Sequence, residues 1–204
     1  MKKTALVAFL VLCMALTVLL SSCFDEESRE TINKIVTGDH DVEIYYKQNA
    51  TDSWTRVTDF DKLFVDDALW EPGYTQVLYL KIVNKESYPL KYVLGINIVS
   101  ETKGTNVYGD KFKHSDYVEF GVVRSSQERF FEDRASLRSA ITSPRLISDT
   151  TIDKYTLPSC PAEEYVTVAV YMPETVDQEA NYKVNTSSPK LKLGIEFCVL
   201  YEEG

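Results

Sequence analysis

Two histidines, His40 and His114, and four cysteines are the residues from which this chain could build a metal or nucleophilic site. A zinc peptidase needs two histidines one helical turn apart, with a glutamate between them as base. His40 and His114 are far apart in sequence and sit in turn-like segments. Neither has a His-Glu-X-X-His context, so both read as surface histidines. There is no Gly-X-Ser-X-Gly elbow, and the thiols have no basic neighbour in sequence to hold them as thiolates. Asp39, Asp41, Asp59, Asp61, Asp66 and Asp67 could offer oxygens to calcium, but their spacing fits no EF-hand and reads as acidic, solvated loop. Glycine-rich phosphate loops are absent. The residues therefore assign no catalytic group, no metal ligand and no cofactor, and the expectation is a protein that is not an enzyme.

The one cysteine in a telling context is Cys23. Lys2 and Lys3 open the chain, residues 5–20 are almost wholly apolar, and Leu20-Ser21-Ser22-Cys23 leads into Asp25, Glu26 and Glu27. About 16 apolar residues is short of the roughly 20 that a membrane span needs. The tetrapeptide resembles a bacterial lipobox, with cleavage before a cysteine that then carries acyl chains. Residues 1–22 are thus expected to be a lipoprotein signal peptide, and Cys23 the lipidated N-terminus. Each buried methylene contributes about 0.8 kcal/mol, so two or more chains would hold the protein on the outer face of the membrane. Cys160 and Cys198 remain as free thiols or as a disulfide pair, which the oxidising side of a membrane permits. The sequence leaves that choice open.

Charge narrows the partners. The chain carries a formal net charge of −9, and losing Lys2 and Lys3 with the leader would take it to about −11. That sign repels phosphate backbones, so no nucleic-acid partner is expected. Membrane contact is expected through lipid rather than through charge.

The elements that would position any site are strands. The 13 tyrosines and frequent β-branched residues favour sheet over helix. Pro72-Gly73 is a turn signal, since proline presets φ and glycine accepts positive φ. From Gln76 to Val83, Leu78, Leu80 and Ile82 alternate with Val77, Tyr79, Lys81 and Val83. After Asn84-Lys85-Glu86-Ser87, residues Leu90, Tyr92, Leu94, Ile96 and Ile98 alternate again. Two period-two runs with a short polar break predict an antiparallel hairpin at the centre of the fold. Further strands are expected over residues 41–46, 53–57, 117–123, 165–172 and 191–201. A single helix is expected over about residues 127–142, started by a Ser125/Glu128 capping box, with Phe130, Leu137 and Ile141 on its packed face. The fold class is all-β: a two-sheet, jelly-roll-like sandwich with one short helix packed on it. Residues 23–37 read as a polar tether and residues 38–204 as the domain. Tyr45, Trp54, Tyr79 and Tyr108 are aromatics that could stack on a sugar or partner, or pack across strands.

Several of these segments carry a family resemblance. Leu69-Trp70-Glu71-Pro72-Gly73-Tyr74, Val77-Leu78-Tyr79-Leu80-Lys81 and Asn84-Lys85-Glu86-Ser87 with Leu90-Lys91-Tyr92 resemble the signature of the TasA/camelysin family. So do Asn33, Gly38 and Asp41-Val42-Glu43-Ile44, the segments Asn106–Asp110 and Tyr171–Tyr182, and Leu193-Gly194-Ile195. These are exported β-sandwich proteins of Gram-positive bacteria. The resemblance implies a structural role in the cell envelope or biofilm matrix, with self-association or a matrix partner joined by β-strand addition. A lipid on Cys23 departs from the family, whose usual members have a free N-terminus, and fits an anchor or terminating subunit. The alternative is a monomeric surface module for a glycan or protein ligand. A camelysin-type metallopeptidase is the weaker implication, because the histidines it would need are missing.

Overall fold

The computed structural model describes residues 30–149, 153–160, 162–186 and 188–200. The chain divides into two units at Glu30/Thr31. The fold belongs to the second; the expected signal peptide, residues 1–22, and the expected lipidation site Cys23 lie outside the described residues.

Among the described residues, twelve strands and one α-helix follow in chain order: β1 (Lys34–Val36), β2 (Val42–Lys47), β3 (Thr55–Arg56), β4 (Thr75–Asn84), β5 (Leu90–Glu101), β6 (Gly104–Thr105), β7 (Lys111–Phe112), β8 (Glu119–Ser125), α1 (Arg134–Ala140), β9 (Arg145–Leu146), β10 (Lys154–Leu157), β11 (Ala162–Tyr171) and β12 (Leu191–Leu200). They make a four-stranded sheet, β1-β12-β5-β10, and a six-stranded sheet, β3-β2-β4-β11-β8-β9, with β6 and β7 as a separate ribbon. The architecture is the all-β sandwich expected, with one short helix.

Period two places the core. Leu78, Leu80 and Ile82 of β4 and Val166, Val168 and Val170 of β11 turn inward from one sheet, and Ile195, Phe197 and Val199 of β12 from the other. Tyr92 of β5 is fully buried and stacks on Phe197 with ring centroids 5.1 Å apart. β11 runs between β4 and β8, and its other face is covered too. There Ala169 and Tyr171 receive Leu137 of α1 in a smaller apolar cluster. Gly73 takes the positive φ that its turn requires, +82°.

The structure corrects three expectations. The central hairpin does not form: β4 pairs with β2 and β11, and β5 with β12 and β10, in different sheets. The break between them is an arch. Asn84 donates through Nδ2 to the carbonyls of Tyr88 (3.0 Å) and Pro158 (2.7 Å) and accepts from the Glu86 N–H through Oδ1 (2.9 Å). Those bonds let the buried Asn84 amide fasten an otherwise largely exposed turn that carries the chain across the roughly 10 Å between packed sheets.

The helix is shorter and starts later, at Arg134. Its cap is Asp133, whose Oδ1 accepts the Ser136 N–H at 2.6 Å while the Ser136 hydroxyl takes the Asp133 N–H at 3.4 Å. This is a capping box eight residues beyond the Ser125/Glu128 pattern. Leu137 is its buried residue, whereas Phe130 lies before the helix and packs edge-on against Tyr79 at 5.0 Å.

The segment from Thr31 onward, expected as tether, belongs to the sandwich. Ile32 and Asn33 are buried and β1 pairs parallel with β12. Cys160 is exposed and Cys198 half-buried in β12. Of the two states that the sequence left open, this structure holds the free thiols.

Candidate functional site

A cavity of about 800 Å³ lies between the two sheets. Its walls come from β5 between Val93 and Ile98, β8 between Phe120 and Arg124, the stretch from Ala140 to Asp149, and Asp153 and Tyr155. Every residue of β5 and β8 over those spans lines it, not alternate ones. That is the mark of a strand edge, where main chain as well as side chains faces the space.

The pairing explains why the edges are open. β10 covers the outer side of β5 only from Leu90 to Val93. β9 covers the outer side of β8 only at Glu119 and Phe120. Among the described residues, no strand pairs with β5 over residues 94–98 or with β8 over residues 121–125 on those sides. Unpaired strand edges are ready templates for another chain.

One wall of the cavity is polar. Arg124 follows Phe120 and Val122 on the inward phase of β8. Its Nη2 lies 2.5 Å from Glu164 Oε1 and donates to the Thr156 carbonyl at 3.0 Å. Glu164 precedes Val166, Val168 and Val170 on the inward phase of β11, and its Oε2 accepts the Tyr92 hydroxyl at 2.7 Å. The Arg124 guanidinium also sits 4.7 Å from the Tyr155 ring centroid. Burial, and then the Glu164 charge, push the Tyr92 phenol well above the ordinary tyrosine range. Its proton stays on oxygen. Nearby, Arg145 Nη2 donates to Asp153 Oδ1 at 2.6 Å.

The residues singled out from the sequence do not converge here. His40 bonds through Nδ1 to the Tyr88 hydroxyl at 3.3 Å. His114 is not a surface residue: it is 4% exposed, packs edge-on against Phe112, and its Nδ1 has no hydrogen-bond partner. Burial pulls its pKa down to about 4 against the opposing pull of Glu101. The acidic loop residues serve the fold. Asp61 accepts the Thr58 N–H at 2.7 Å, Asp66 pairs with Lys62 at 2.8 Å, and Asp67 with Lys190 at 3.4 Å. Among the described residues no group of three or more histidines, cysteines or carboxylates comes together to hold a metal.

The aromatics pack across strands. The Lys47 ammonium sits 4.7 Å from the Trp54 ring and 4.5 Å from the Phe130 ring, and 2.5 Å from Glu128. Lys81 lies 4.9 Å over Tyr45. Trp54 also packs on Tyr165 at 6.0 Å. Tyr108 stays 65% exposed on a loop.

Sequence reasoning missed Arg124, Glu164 and Tyr155. A signal existed for the first two: each is a charge in phase with the apolar face of its strand, where a buried charge needs a partner. No protein-family model matches the sequence, and no curated protein matches it.

Proposed function

We propose that this chain is a lipid-anchored cell-surface protein that holds an extended segment of a partner in the cleft between its sheets. It serves as an anchor or end unit for cell-envelope or matrix assemblies. The observation that supports this reading is the cavity flanked by two unpaired edges, β5 at residues 94–98 and β8 at residues 121–125. An added strand satisfies main-chain donors and acceptors along such an edge and buries alternate side chains against the core. Here they would meet Leu94, Ile96, Phe120 and Val122. The resemblance to the TasA/camelysin family supports the same role, and the lipobox-like Leu20-Ser21-Ser22-Cys23 supports attachment at the membrane.

Two measurements test it. Intact mass of membrane-extracted protein should show a chain starting at an acylated Cys23. A photoreactive residue at position 96 should cross-link on cells to one contiguous segment of a partner, and amides 94–98 should exchange more slowly in that complex than in the purified protein. A chain with residues 1–22 retained, or amides 94–98 that exchange equally fast in both states, would count against the corresponding half of the proposal.

A further inference from the structure

The charges around the cleft restrict what can enter it. Lys34, Arg124 and Arg145 line it on the positive side, and Asp149, Asp153 and Glu196 on the negative. Glu164 stands directly behind Arg124 at 2.5 Å. The cleft therefore has no positive charge in excess for a carboxylate to answer. A carboxylate brought to Arg124 would sit close to Glu164, in a space walled on its other sides by Leu94, Ile96, Phe120 and Val122. Burying a second like charge there is costly.

Arg124 nevertheless has hydrogen-bonding capacity left. A guanidinium carries five N–H donors. Those of Nη2 meet Glu164 and the Thr156 carbonyl. The guanidinium also hydrogen-bonds the Tyr92 hydroxyl, so three of its five donors are engaged and two have no partner among the described residues. The side chain is 34% exposed, and it lines the cavity. An occupant that leaves these donors dry loses binding, and one that offers an uncharged oxygen satisfies them without adding charge.

Resting on the strand-accepting reading above, we infer that the occupant is an uncharged, alternately apolar strand of a different protein, and that Arg124 selects a neutral hydrogen-bond acceptor within it, such as an amide side chain. The chain's own N-terminal segment does not fit. Residues 24–30 hold Asp25, Glu26, Glu27 and Glu30 against a single Arg29. A second copy would bring four carboxylates to a cleft that has no charge to pair with them. The protein thus receives a partner and does not extend a chain of its own kind.

The test uses the full chain in detergent and fluorescein-labelled ten-residue peptides, read by anisotropy. One peptide alternates threonine and valine with a glutamine at its fifth position. Two others place glutamate or leucine there, and a fourth has the sequence of residues 24–33. The glutamine peptide is expected to bind about tenfold more tightly than the leucine or glutamate peptide, because one partnered or orphaned polar group is worth about that factor. The 24–33 peptide is expected to bind more weakly than all three. R124M paired with E164Q removes both charges together, so the fold keeps no orphan ion, and it should abolish the preference for glutamine. Equal binding of the glutamine and leucine peptides overturns the role of Arg124. Binding of the glutamate or 24–33 peptide at the strength of the glutamine peptide overturns the exclusion of charge. Either result leaves the strand-accepting cleft standing. Failure of every peptide to bind, with amides 94–98 unprotected, overturns that reading and this inference together.

Discussion

The side chain of Asn33 accepts the backbone N–H of Ile195 at 3.0 Å, across 162 residues of chain. The same amide donates through Nδ2 to the carbonyls of Thr58 (2.8 Å) and Asp61 (2.9 Å). One buried residue thus ties the entry of the domain to the last strand and to the loop after β3. Its own N–H, with that of Ile32, bonds the Asp59 carbonyl. The backbone meets β12 closely enough that Gly194 has no room for a Cβ, which would collide with the Ile32 carbonyl. Asn33→Leu should cost about 3 kcal/mol, from three lost bonds and the groups they leave dry. Urea unfolding measures it. Gly194→Ala should act by a different route, lifting residues 32–36 off the sheet. Hydrogen exchange should then quicken at Lys34–Val36 while the β4–β11 ladder keeps its protection.

A second prediction concerns acid. The pKa of His114 is held near 4 by burial, against about 6.5 in an unfolded chain. The folded value is the lower one, so the neutral imidazole's contribution is whole above pH 6.5. It is lost as pH falls from 6.5 toward 4, and it amounts to at most about 3 kcal/mol. Carboxylates with lowered values, Glu43 through Lys85 and Asp133 through Ser136, add their own loss at more acid pH. Between pH 6.5 and 5, His114→Leu should flatten the fall in stability. An unchanged slope in that variant would place the acid sensitivity elsewhere.

Alkali gives a third. Burial raises Tyr92 and Tyr171, and Glu163 is the leading cause that pushes Tyr165 up to about 12. Burial also raises Tyr155 and Tyr79. Because these folded values exceed the ordinary 10, their contribution is complete below pH 10 and is lost as pH rises beyond it. Absorbance near 295 nm should show only part of the tyrosines ionising on the normal curve. The remainder should appear together with the loss of near-ultraviolet circular dichroism. A single curve centred near pH 10 in folded protein would contradict the buried placements.

These residues also show what the sequence could and could not tell. The long strands were legible because alternation states which side chains point inward. Leu78-Leu80-Ile82 and Val166-Val168-Val170 follow it closely. Alternation does not state which strand lies alongside. The break after Asn84 reads equally as a hairpin loop or an arch, and the choice was made by Pro158, 74 residues away, bonding Asn84. The helix start failed for a local reason. Ser125/Glu128 and Asp133/Ser136 both have capping spacing, but Glu128 is taken by Lys47 and Phe130 by Tyr79, which holds that non-helical stretch against the sheet. The cleft was illegible as a whole. It exists because β9 and β10 are too short to cover β8 and β5, and short pairing leaves no periodic mark. Only its polar wall was signalled, by charges in the apolar phase of two strands.

That wall supplies the fourth prediction. Arg124 and Glu164 are 2.5 Å apart, with the Tyr92 hydroxyl on the second carboxylate oxygen. Glu164 is 8% exposed and Tyr92 fully buried. Removing Arg124 alone, as Arg124→Met, leaves Glu164 an unpaired buried charge and should destabilise by about 3 kcal/mol or more. Removing both charges as R124M/E164Q keeps an acceptor for Tyr92 and should restore most of that loss, since an ion pair of this kind costs about as much to desolvate as it returns. The pair would then matter for what enters the cleft rather than for holding the sheets together. Guanidinium unfolding of the two single variants and the double variant gives the coupling directly. A double variant no more stable than Arg124→Met would mean that the guanidinium supports the fold by itself, through the Thr156 carbonyl and the Tyr155 ring.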